Sequence, residues 1–552
     1  MKSHMPLGDF LVAYLHKIGV THLFGIPGDL VMRLFLRFGR PRGLHIVTFS
    51  HEPGVGFAAD GYARATGRVG VICVTYGAGG HNMVNPLAGS FAERVPVLVI
   101  SGGPGEEERR LGTLIHHQAK EIESQLRIYQ ELTCAARVID NPDTAAREID
   151  DVVRRMWAER RPGYLEIHRD FVERSIAVPK EIIEWDGRLP ARRSDEERVR
   201  EAARDAAERL NAAKAPVIIA GIECHRYRLT REIVELAERT GTPCATSVLA
   251  KGALPMDHPL YMGTYIGALS PAPIRRRVDR ADLVMNLGTL QTDMNLASRP
   301  PTIRRDRSIW AIAERVDVSY HSYNQVTLRD FLNHLLGLKL RRRHERVTYA
   351  DNLKPPPRRL DRKVQVADVL RELNRFLHGR PEHIVVAESG DMLFAGLDVR
   401  VEGKTGYLAQ GYYASMGFGV PGAIGAQIGT GRRPIVLCGD GAFQMTGPEI
   451  AHAGRHGTNP IILLMNNGGW GIFRPIADRQ DLLELPNWPY ADLAAAWGGV
   501  GMRAATIGAL REALEAADRA PTFVIIEIPI ERGDLSPVSS KYIQASVRHG
   551  QK

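Results

Sequence analysis

The segment RPIVLCGDGAFQMTGPEIAHAGRHGTNPIILLMNN, residues 433–467, contains two apolar runs that each end in polar residues. The first run breaks into Gly-Asp-Gly around Asp440, and the second breaks into an Asn-Asn pair that ends at Asn467. Near-continuous apolar runs are typical of parallel strands buried on both faces, and residues 444–457 between them predict a helix. Open parallel sheets bind ligands at the carboxyl ends of their strands. The segment therefore predicts a strand–helix–strand unit with a ligand site beside Asp440 and Asn467.

Runs of the same kind recur along the whole chain. The first third contains LHIVTFS, VGVICVTY and VPVLVIS, the second contains APVIIAG, and the last adds HIVVAES and TFVIIEI. Residues 230–240 place apolar side chains on one helical face, and Gly241 follows as a helix stop. No G-x-G-x-x-G opens a helix after a strand and no Walker A motif occurs, which argues against dinucleotide and P-loop sites.

Two polar, proline-bearing segments, residues 178–200 and 341–363, divide the chain into thirds of ordinary domain size. A chain of 552 residues is also too long for a single core. We therefore predict an α/β protein with three consecutive doubly wound parallel-sheet domains, over residues 1–178, 196–341 and 362–552.

The composition restricts the class of partner. With 44% hydrophobic and 24% charged residues, the chain is typical of a globular protein. The net charge of +9 raises the question of nucleic acid, but Lys and Arg are dispersed among Asp and Glu. A solvated surface, or mild steering of anionic substrates, explains such a distribution better. We expect no nucleic-acid partner.

Cysteine spacing and hydropathy bear on the compartment. The five cysteines lie far apart with no CxxC pair, which argues against a disulfide framework or a zinc site and favours a reducing compartment. The N-terminal region lacks the apolar core of a signal peptide, and no uncharged run is long enough to span a bilayer. We expect a cytoplasmic protein with no membrane partner.

The residues around Asp440 and Asn467 suit a metal and an anion. Glycines on both sides of Asp440 allow a sharp turn and a close approach to a ligand. A carboxylate, an amide oxygen, a backbone carbonyl from residues 468–471 and phosphate oxygens form the all-oxygen set that Mg²⁺ prefers. The start of a helix nearby favours an anion. Either motif alone is more often a simple turn, so the prediction depends on their combination.

This combination, GDG followed after a helix and a strand by NN, resembles the thiamine-diphosphate signature. The likeness covers essentially the whole chain and points to the pyruvate decarboxylase type of 2-oxo acid decarboxylases, with pyrimidine-binding, middle and diphosphate-binding domains. Within that family the chain most resembles bacterial phenylpyruvate and indolepyruvate decarboxylases. The resemblance implies thiamine diphosphate and Mg²⁺ as cofactors, with Asp440, Asn467 and the backbone oxygen of Gly469 as metal ligands.

The same resemblance implies the residues that contact the cofactor. In GYYASMGFGVP, Met416 matches the bulky apolar residue that bends the cofactor into a V, although an ordinary core methionine remains the alternative. AESGDML offers three further residues at a strand end. The full set is Gly28, Glu52, Thr75, Ser389, Gly390, Asp391, Ala414, Met416, Gly439, Asp440, Gly441, Ala442, Asn467, Gly469, Trp470, Gly471 and Ile472.

Glu52 is the first catalytic candidate. It follows the strand LHIVTFS and precedes Pro53, which opens a helix of small residues. A carboxyl group there could share a proton with N1′ of the cofactor's aminopyrimidine, which performs the chemistry while the protein sets its electrostatics. The alternative is that Glu52 only stabilises the helix N-terminus.

Asp29, His116 and His117 are the remaining catalytic candidates. Adjacent histidines in a loop suit proton transfer near neutral pH, although two such histidines are more often structural. In the family, an HH pair distinguishes 2-oxo acid decarboxylases from acetolactate synthases and FAD-dependent oxidases, and Asp29 in FGIPGDL matches the other polar acid of the site. Because close titrating groups share their protons, we do not divide the roles among the three.

The chain departs from pyruvate decarboxylases just after the Asn-Asn pair. Those enzymes carry a glutamate where Phe473 stands, and phenylpyruvate-type enzymes can carry an acid at the position of Gly471, but this chain has neither. The departure predicts a more apolar pocket and a bulky aromatic or branched substrate. His81, in GAGGHN, is also unusual for the site.

The leading prediction is non-oxidative decarboxylation of a small-molecule 2-oxo acid, such as phenylpyruvate or indolepyruvate, to an aldehyde and CO₂. One alternative is a carboligase that forms an acyloin with the same cofactor, and another is a cofactor-binding protein without catalysis. The resemblance implies a homodimer as the smallest active unit and favours a homotetramer, but the sequence itself does not decide between dimer and tetramer.

Overall fold

The computed structural model describes residues 1–297, 303–356, 359–403 and 406–548. Three predicted regions therefore extend beyond the described residues. Residues 357–358 of the second proline-bearing segment, 298–302 of the predicted middle domain, and 404–405 and 549–552 of the third lie outside them.

The first α/β domain contains eight strands and nine helices among its described residues. Strands β1 to β8 are His4–Pro6, His22–Gly25, His45–Val47, Gly70–Val74, Val97–Gly103, Ala135–Ile139, Gly163–His168 and Ser175–Ala177. Helices α1 to α9 are Leu7–Lys17, Met32–Phe38, Glu52–Thr66, Ala78–Asn82, Val84–Ala92, Glu106–Leu111, Ser124–Leu132, Ala145–Glu159 and Lys180–Glu184.

Six of these strands form one parallel sheet in the order β3-β2-β4-β5-β7-β6, and β1 pairs antiparallel with β8. The chain runs from β2 to β3 on one side and from β4 to β5 on the other. The loops that follow β2 and β4 therefore diverge and leave a crevice, the position at which open α/β sheets bind ligands.

The second domain is built around a mixed sheet. Strands β9 to β15 are Pro216–Ala220, Cys244–Ser247, Tyr261–Tyr265, Leu283–Leu287, Ser308–Ile312, Arg315–Val318 and His321–Asn324. Helices α10 to α15 are Glu196–Ala212, Ile222–Arg226, Thr230–Thr240, Ala272–Arg280, Asp293–Leu296 and Leu328–Leu336. As predicted, Gly241 ends α12 in the left-handed region, with φ of 63°.

The sheet order of the second domain is β11-β10-β9-β12-β13-β14-β15. The first five strands are parallel, but β14 and β15 run antiparallel to their neighbours. The expectation of a purely parallel sheet is wrong here. Only a few residues connect β13, β14 and β15, and such short connections allow hairpins but no parallel crossover.

The third domain returns to a wholly parallel sheet. Strands β16 to β21 are His383–Ala387, Tyr407–Ala409, Arg433–Gly439, Ile461–Asn466, Val500–Arg503 and Val524–Pro529, in the order β17-β16-β18-β19-β21-β20. Helices α16 to α22 are Val366–Leu377, Asp391–Ala395, Gly419–Thr430, Asp440–Thr446, Tyr490–Ala496, Ile507–Arg519 and Pro537–Arg548. The order reverses between β16 and β18, so this sheet also has a crevice at its carboxyl edge.

The helix predicted over residues 444–457 differs from the observed structure. Helix α19 already begins at Asp440, ends at Thr446, and is followed by two 3₁₀ turns, Gly447–His452 and Gly454–His456. Pro448 explains the interruption, because proline lacks the N–H that an α-helix needs and its ring clashes with the preceding turn.

The chain forms two compact units. One comprises Met1–Ala191 with Val420–Gly431 and Thr446–Thr458, and the other comprises Arg192–Gly419, Arg432–Met445 and Asn459–Lys552. In the second unit, a single apolar core includes side chains of both the second and the third domain. The limits 1–178, 196–341 and 362–552 stay predictions, whereas three consecutive α/β domains are confirmed.

Small residues determine the packing within the first unit. A β-carbon built on Gly425 would lie 1.9 Å from the carbonyl oxygen of Ala58, and one on Gly61 would lie 2.2 Å from that of Gly422. Helix α3 and residues 420–431 therefore approach backbone to backbone, which only glycine permits.

All five cysteines are free. Among the described residues, no helix combines the length and the apolar character needed to cross a bilayer.

Candidate active site

A cavity of about 370 Å³ opens at the carboxyl edge of the third domain's sheet. It lies at the switch point between β16 and β18, where the strand order predicts a ligand crevice. The cavity is lined by every third-domain residue that was predicted from the sequence to contact the cofactor: Ser389, Gly390, Asp391, Ala414, Met416, Gly439, Asp440, Gly441, Ala442, Asn467, Gly469, Trp470, Gly471 and Ile472.

The three predicted metal ligands lie together on this cavity. The backbone N–H of Gly469 donates to Asp440 Oδ2 at 3.0 Å and to Asn467 Oδ1 at 3.1 Å. Asp440 Oδ1 accepts a second bond from the N–H of Gly441 at 2.9 Å. Burial raises the pKa of Asp440, and these backbone N–H groups oppose the rise. A divalent cation at the carboxylate would favour its ionised form further.

Two glycines beside these side chains allow close packing between protein segments. A β-carbon on Gly441 would lie 2.3 Å from the ring of Trp470, and one on Gly469 would lie 2.1 Å from the carbonyl oxygen of Leu483. The N–H of Trp470 donates to that same oxygen at 2.8 Å, which fixes the loop after β19. Glycine at these two positions therefore lets the start of α19 and the loop after β19 pack closely against neighbouring protein atoms.

The donor set fits the cofactors that the sequence predicts. A carboxylate, an amide oxygen and a backbone carbonyl beside a glycine-lined crevice are oxygen donors of the kind that Mg²⁺ takes together with phosphate oxygens. The cavity is large enough for a small organic ligand. The residues present thus fit a magnesium diphosphate group.

Met416 lies on the wall of this cavity and is only half buried, which argues against the alternative of an ordinary core methionine. Two residues earlier, Ala414 has φ of 54°, a left-handed conformation that is uncommon outside glycine. The hydroxyl of Ser389 donates to the carbonyl oxygen of Ala414 at 2.7 Å and helps to hold that conformation. Asp391, in contrast, is engaged with Ser536, whose hydroxyl donates to it at 2.6 Å.

The first domain holds a second cluster at its own switch point, between β2 and β4. Asp29 follows β2 and Thr75 follows β4, and the Thr75 hydroxyl donates to Asp29 Oδ1 at 3.3 Å. Gly28 approaches Thr75 so closely that a β-carbon on it would lie 2.6 Å from Thr75 Cβ.

His116 and His117 complete this cluster. His116 Nε2 hydrogen-bonds to Asp29 Oδ2, and His117 Nε2 lies 3.7 Å from Asp29 Oδ1. Burial raises the pKa of Asp29, but the hydrogen bond with His116 and one from the N–H of Leu30 outweigh it, so the pKa lies below its usual value. An ionised Asp29 keeps a proton on His116 Nε2. The arrangement is a carboxylate–imidazole pair suited to proton transfer.

Glu52 is the first residue of α3, next to Pro53. Its side chain is 15% exposed, and the Asn82 amide donates to Glu52 Oε2 at 3.0 Å. A β-carbon on Gly79 would lie 3.3 Å from Glu52 Oε1 and 3.1 Å from Thr75 Cγ2. Glu52 and Thr75 thus both lie close to the same glycine.

Sequence reasoning missed the residues that hold this carboxylate. Asn82 carries no sequence signal, because its contact with Glu52 depends on the packing of α4 against α3. Glu449 was also missed: it accepts the backbone N–H groups of Ser50 at 2.9 Å and His51 at 3.0 Å, just before Glu52. Burial raises the pKa of Glu449, and those two N–H groups oppose it.

Glu388 in AESGDML was overlooked although a signal was present. It directly follows the apolar run of β16, as Asp440 follows that of β18. An acid at the carboxyl end of a buried strand is the pattern that identified Asp440.

His81 lies in α4, and its Nε2 is buried without a hydrogen-bond partner among the described residues. Burial lowers its pKa. The imidazole is therefore neutral near pH 7 and faces the interior.

The end of the cavity beyond Asn467 is apolar. Phe394 stacks on Tyr542 with ring centroids 5.6 Å apart, and Phe473 occupies the position of the missing acid. The wall consists of Met294, Phe394, Ile472, Phe473 and Tyr542. Besides Asp440, the cavity's carboxylates are Asp391, bound to Ser536, and Asp534, which accepts the N–H of Val366 at 2.8 Å.

Comparison with known proteins agrees with this architecture. Models of the thiamine pyrophosphate enzyme family match residues 5–128 as the N-terminal TPP binding domain, 203–328 as the central domain and 388–528 as the C-terminal TPP binding domain.

Full-length relatives support the same family. The chain is 36% identical over 552 residues to "Indole-3-pyruvate decarboxylase" of Azospirillum brasilense, which covers 99% of both chains. It is 30% identical over 507 residues to "Pyruvate decarboxylase 1" of Oryza sativa subsp. indica, covering 88% of this chain and 81% of that one. It is 31% identical over 502 residues to "Pyruvate decarboxylase 1" of Pisum sativum, covering 89% and 83%. The chain belongs to the thiamine pyrophosphate enzyme family and is a 2-oxo acid carboxy-lyase that uses thiamine diphosphate with Mg²⁺.

Proposed function

We propose that this enzyme decarboxylates a bulky aromatic 2-oxo acid, of the phenylpyruvate or indolepyruvate type, to the aldehyde and CO₂. The supporting observation is the apolar wall of the cavity, where Phe473 stands in place of an acid and Phe394 stacks on Tyr542. An aromatic side chain buries its area against such a wall, whereas the methyl group of pyruvate would leave most of it unfilled. The Azospirillum brasilense relative is named for indole-3-pyruvate, an acid of this class, which is consistent with the proposal.

In this proposal Asp440, Asn467 and the carbonyl oxygen of Gly469 hold Mg²⁺. The other cavity residues that were predicted to contact the cofactor hold thiamine diphosphate. Thiamine diphosphate, when bound, supplies the electron sink that allows the carboxylate of a 2-oxo acid to leave as CO₂. Met416 would contact the cofactor from the cavity wall, and Glu52 would hold the proton that N1′ needs. Asn82 fixes the orientation of the Glu52 carboxylate through its bond to Oε2.

Asp29, His116 and His117 handle the other protons. The Asp29 carboxylate keeps a proton on His116 Nε2, ready for delivery after CO₂ has left. No carboxylate stands at Gly471 or Phe473 to share this task, so in this proposal the proton comes from the first domain's cluster or from water.

A homodimer is the smallest active unit in this proposal, with a homotetramer as the full assembly and the cytoplasm as its location. The side chains of Asp29, His116 and His117 are 46%, 55% and 34% exposed in the single chain. A partner subunit that covers them would remove the water that competes with substrate for their protons.

A substrate panel tests the proposal. The enzyme, loaded with thiamine diphosphate and Mg²⁺, is supplied with phenylpyruvate, indolepyruvate, pyruvate and branched-chain 2-oxo acids, and CO₂ and aldehyde are both measured. We expect the highest kcat/KM with an aromatic acid and one aldehyde for each CO₂. A preference for pyruvate would contradict the substrate class. CO₂ without equivalent aldehyde, together with an acyloin, would instead identify a carboligase.

A further inference from the structure

Glu388 is a fully buried acid that neither the metal site nor the proton-transfer cluster uses. It directly follows β16 and precedes Ser389 and Gly390, which line the cavity. A carboxyl group removed from water in this way requires hydrogen-bond partners.

Its partners are backbone groups from two separate segments. Glu388 Oε1 accepts the N–H of Ser389 at 2.8 Å and that of Gly417 at 3.2 Å. Oε2 accepts the N–H of Gly419 at 2.6 Å. The carboxylate thus joins the end of β16 to residues 414–419, the segment that carries Met416.

The hydrogen bonds to Glu388 stabilise an unusual backbone conformation in residues 414–419. Ala414 has φ of 54° and Gly417 has φ of 95°, so positive-φ residues stand on both sides of Ser415 and Met416, and at Ala414 this conformation is costly for a residue other than glycine. The N–H groups of Gly417 and Gly419 are buried, and without the carboxylate they would lose a partner. A β-carbon on Gly419 would lie 2.7 Å from Glu388 Oε2, so a larger residue there would displace the carboxylate.

The pKa of Glu388 lies close to neutral pH. Burial raises its pKa to about 7, and the backbone N–H groups oppose the rise. Residues 414–419 carry no titratable side chain, and on β18 the buried thiol of Cys438 lies close enough to interact with the Glu388 charge. On α17, the helix that follows Glu388, the carboxylate of Asp391 is bound to Ser536. Protonation would turn an acceptor into a donor that faces other donors.

We propose that Glu388 is a positioning residue for the cofactor, whose ionised carboxylate ties Ser389 to Gly417 and Gly419 and so sets the two segments that contact thiamine diphosphate. The inference rests on the proposed cofactor contacts of Ser389, Gly390, Ala414 and Met416. The new element is that the pH dependence of cofactor affinity comes from Glu388, which does not itself line the cavity.

The experiment measures cofactor affinity without turnover. Thiamine diphosphate is titrated, with saturating Mg²⁺ and no substrate, into the wild type and Glu388→Gln between pH 6 and pH 8, with quenching of tryptophan fluorescence as the signal. Trp470 lies on the cavity and provides a reporter. We expect Glu388→Gln to bind about tenfold to a hundredfold more weakly at pH 8, since bonds to a charged acceptor are lost.

The ratio of the two affinities is the decisive quantity, because titration of the cofactor's own groups cancels in it. We expect the ratio to shrink by up to about tenfold from pH 8 to pH 6, where about nine-tenths of a group titrating near pH 7 is protonated. Glu372→Gln is the matched control: Glu372 accepts bonds from Arg375 at 2.9 Å and Arg511 at 2.8 Å, outside the cavity. It should lower the melting temperature and leave the cofactor affinity unchanged.

Equal affinity of Glu388→Gln and wild type at pH 8, or a ratio that does not change with pH, would overturn the proposal. If Glu388→Gln does not fold, Glu388→Asp replaces it; this variant keeps the charge but shortens the reach, and it should bind more weakly at pH 8 with a dependence on pH like that of the wild type. A pH-independent affinity of Glu388→Asp would also overturn the proposal. The substrate panel is independent of these titrations, so failure of one is distinguishable from failure of the other.

Discussion

Asp440 and Asn467 accept hydrogen bonds from one and the same backbone N–H, that of Gly469, at 3.0 and 3.1 Å. Their side-chain oxygens therefore converge on one point although they follow different strands. The N–H holds the two acceptors in place, and at the proposed metal site the carbonyl oxygen of Gly469 would serve as a third ligand. Such preorganisation reduces the ordering that metal binding would otherwise require.

Replacing Asp440 with Asn tests this arrangement. The amide keeps the size of the side chain but removes the only charge among the proposed ligands, so we expect Mg²⁺-dependent cofactor affinity to fall by at least about a hundredfold. Asp492→Asn is the control, since Asp492 is exposed on α20. Titration calorimetry with Mg²⁺ and thiamine diphosphate measures both. Undiminished affinity in Asp440→Asn would remove Asp440 from the metal site.

The Glu52 carboxylate is expected to act in turnover more than in binding. Glu52→Gln cannot share a proton with the cofactor, and we expect kcat to fall by about a hundredfold or more, the usual contribution of acid–base catalysis. Asn82→Ala removes only the bond to Oε2, so its loss should be smaller. Steady-state kinetics and a parallel cofactor titration separate the two effects. An enzyme that turns over normally with Gln at this position would show that Glu52 only stabilises the start of α3.

The contacts of Asp29 with His116 and Leu30 predict how the stability of the enzyme depends on pH. The pKa of Asp29 lies below its usual value because its contacts with His116 and Leu30 favour the ionised form. This contribution to stability is present above the unfolded-state pKa and is lost as pH falls through the folded-state pKa. In Asp29→Asn the carboxylate is absent and this contribution is lost, so the melting temperature should fall less steeply than that of the wild type as pH drops into the acid range. Thermal melting of both proteins between about pH 3 and pH 7 measures the difference, and parallel curves would show that the contacts of Asp29 contribute nothing to stability.

Phe473 tests the substrate class. Phe473→Glu places a charge on the apolar wall, and we expect kcat/KM for phenylpyruvate to fall by about tenfold or more relative to that for pyruvate. Ile476→Glu makes the same kind of change on an exposed side chain that does not line the cavity, and should leave the ratio unchanged. If the two variants shift the ratio equally, the effect is one of surface charge and not of the pocket.

The site residues differ in how well they could be predicted from the sequence. Asp440 and Asn467 were predictable because each follows a continuous apolar run, and the carboxyl ends of parallel strands meet at one edge. Asn82 was not predictable in the same way, since its bond to Glu52 arises only when α4 packs beside α3. Glu388 satisfied the strand-end pattern and was overlooked because its neighbours Ser389 and Gly390 matched the family motif.

Local rules also explain the fold-level errors. Pro448 breaks the helix predicted after Gly441, and this was readable from the sequence. The antiparallel strands β14 and β15 were harder to predict, because β14 alternates in burial, β15 is mostly exposed, and neither contains a long apolar run. An alternating pattern is typical of edge strands with one solvated face, so the parallel domains, with their continuous runs, were the easier part of the fold.

The glycines on either side of Asp440 give a last prediction. A β-carbon on Gly441 would meet the ring of Trp470 at 2.3 Å, whereas one on Gly439 would have nothing within 4 Å. Gly441→Ala should therefore destabilise the cofactor-free enzyme by about 1–3 kcal/mol, the usual cost of overpacking, and Gly439→Ala should not. Thermal melting without cofactor compares the two directly. Both substitutions add the same methyl group, two residues apart. Equal melting temperatures would therefore show that Trp470 moves aside at no cost. The close approach of α19 to the loop after β19 would then not require glycine.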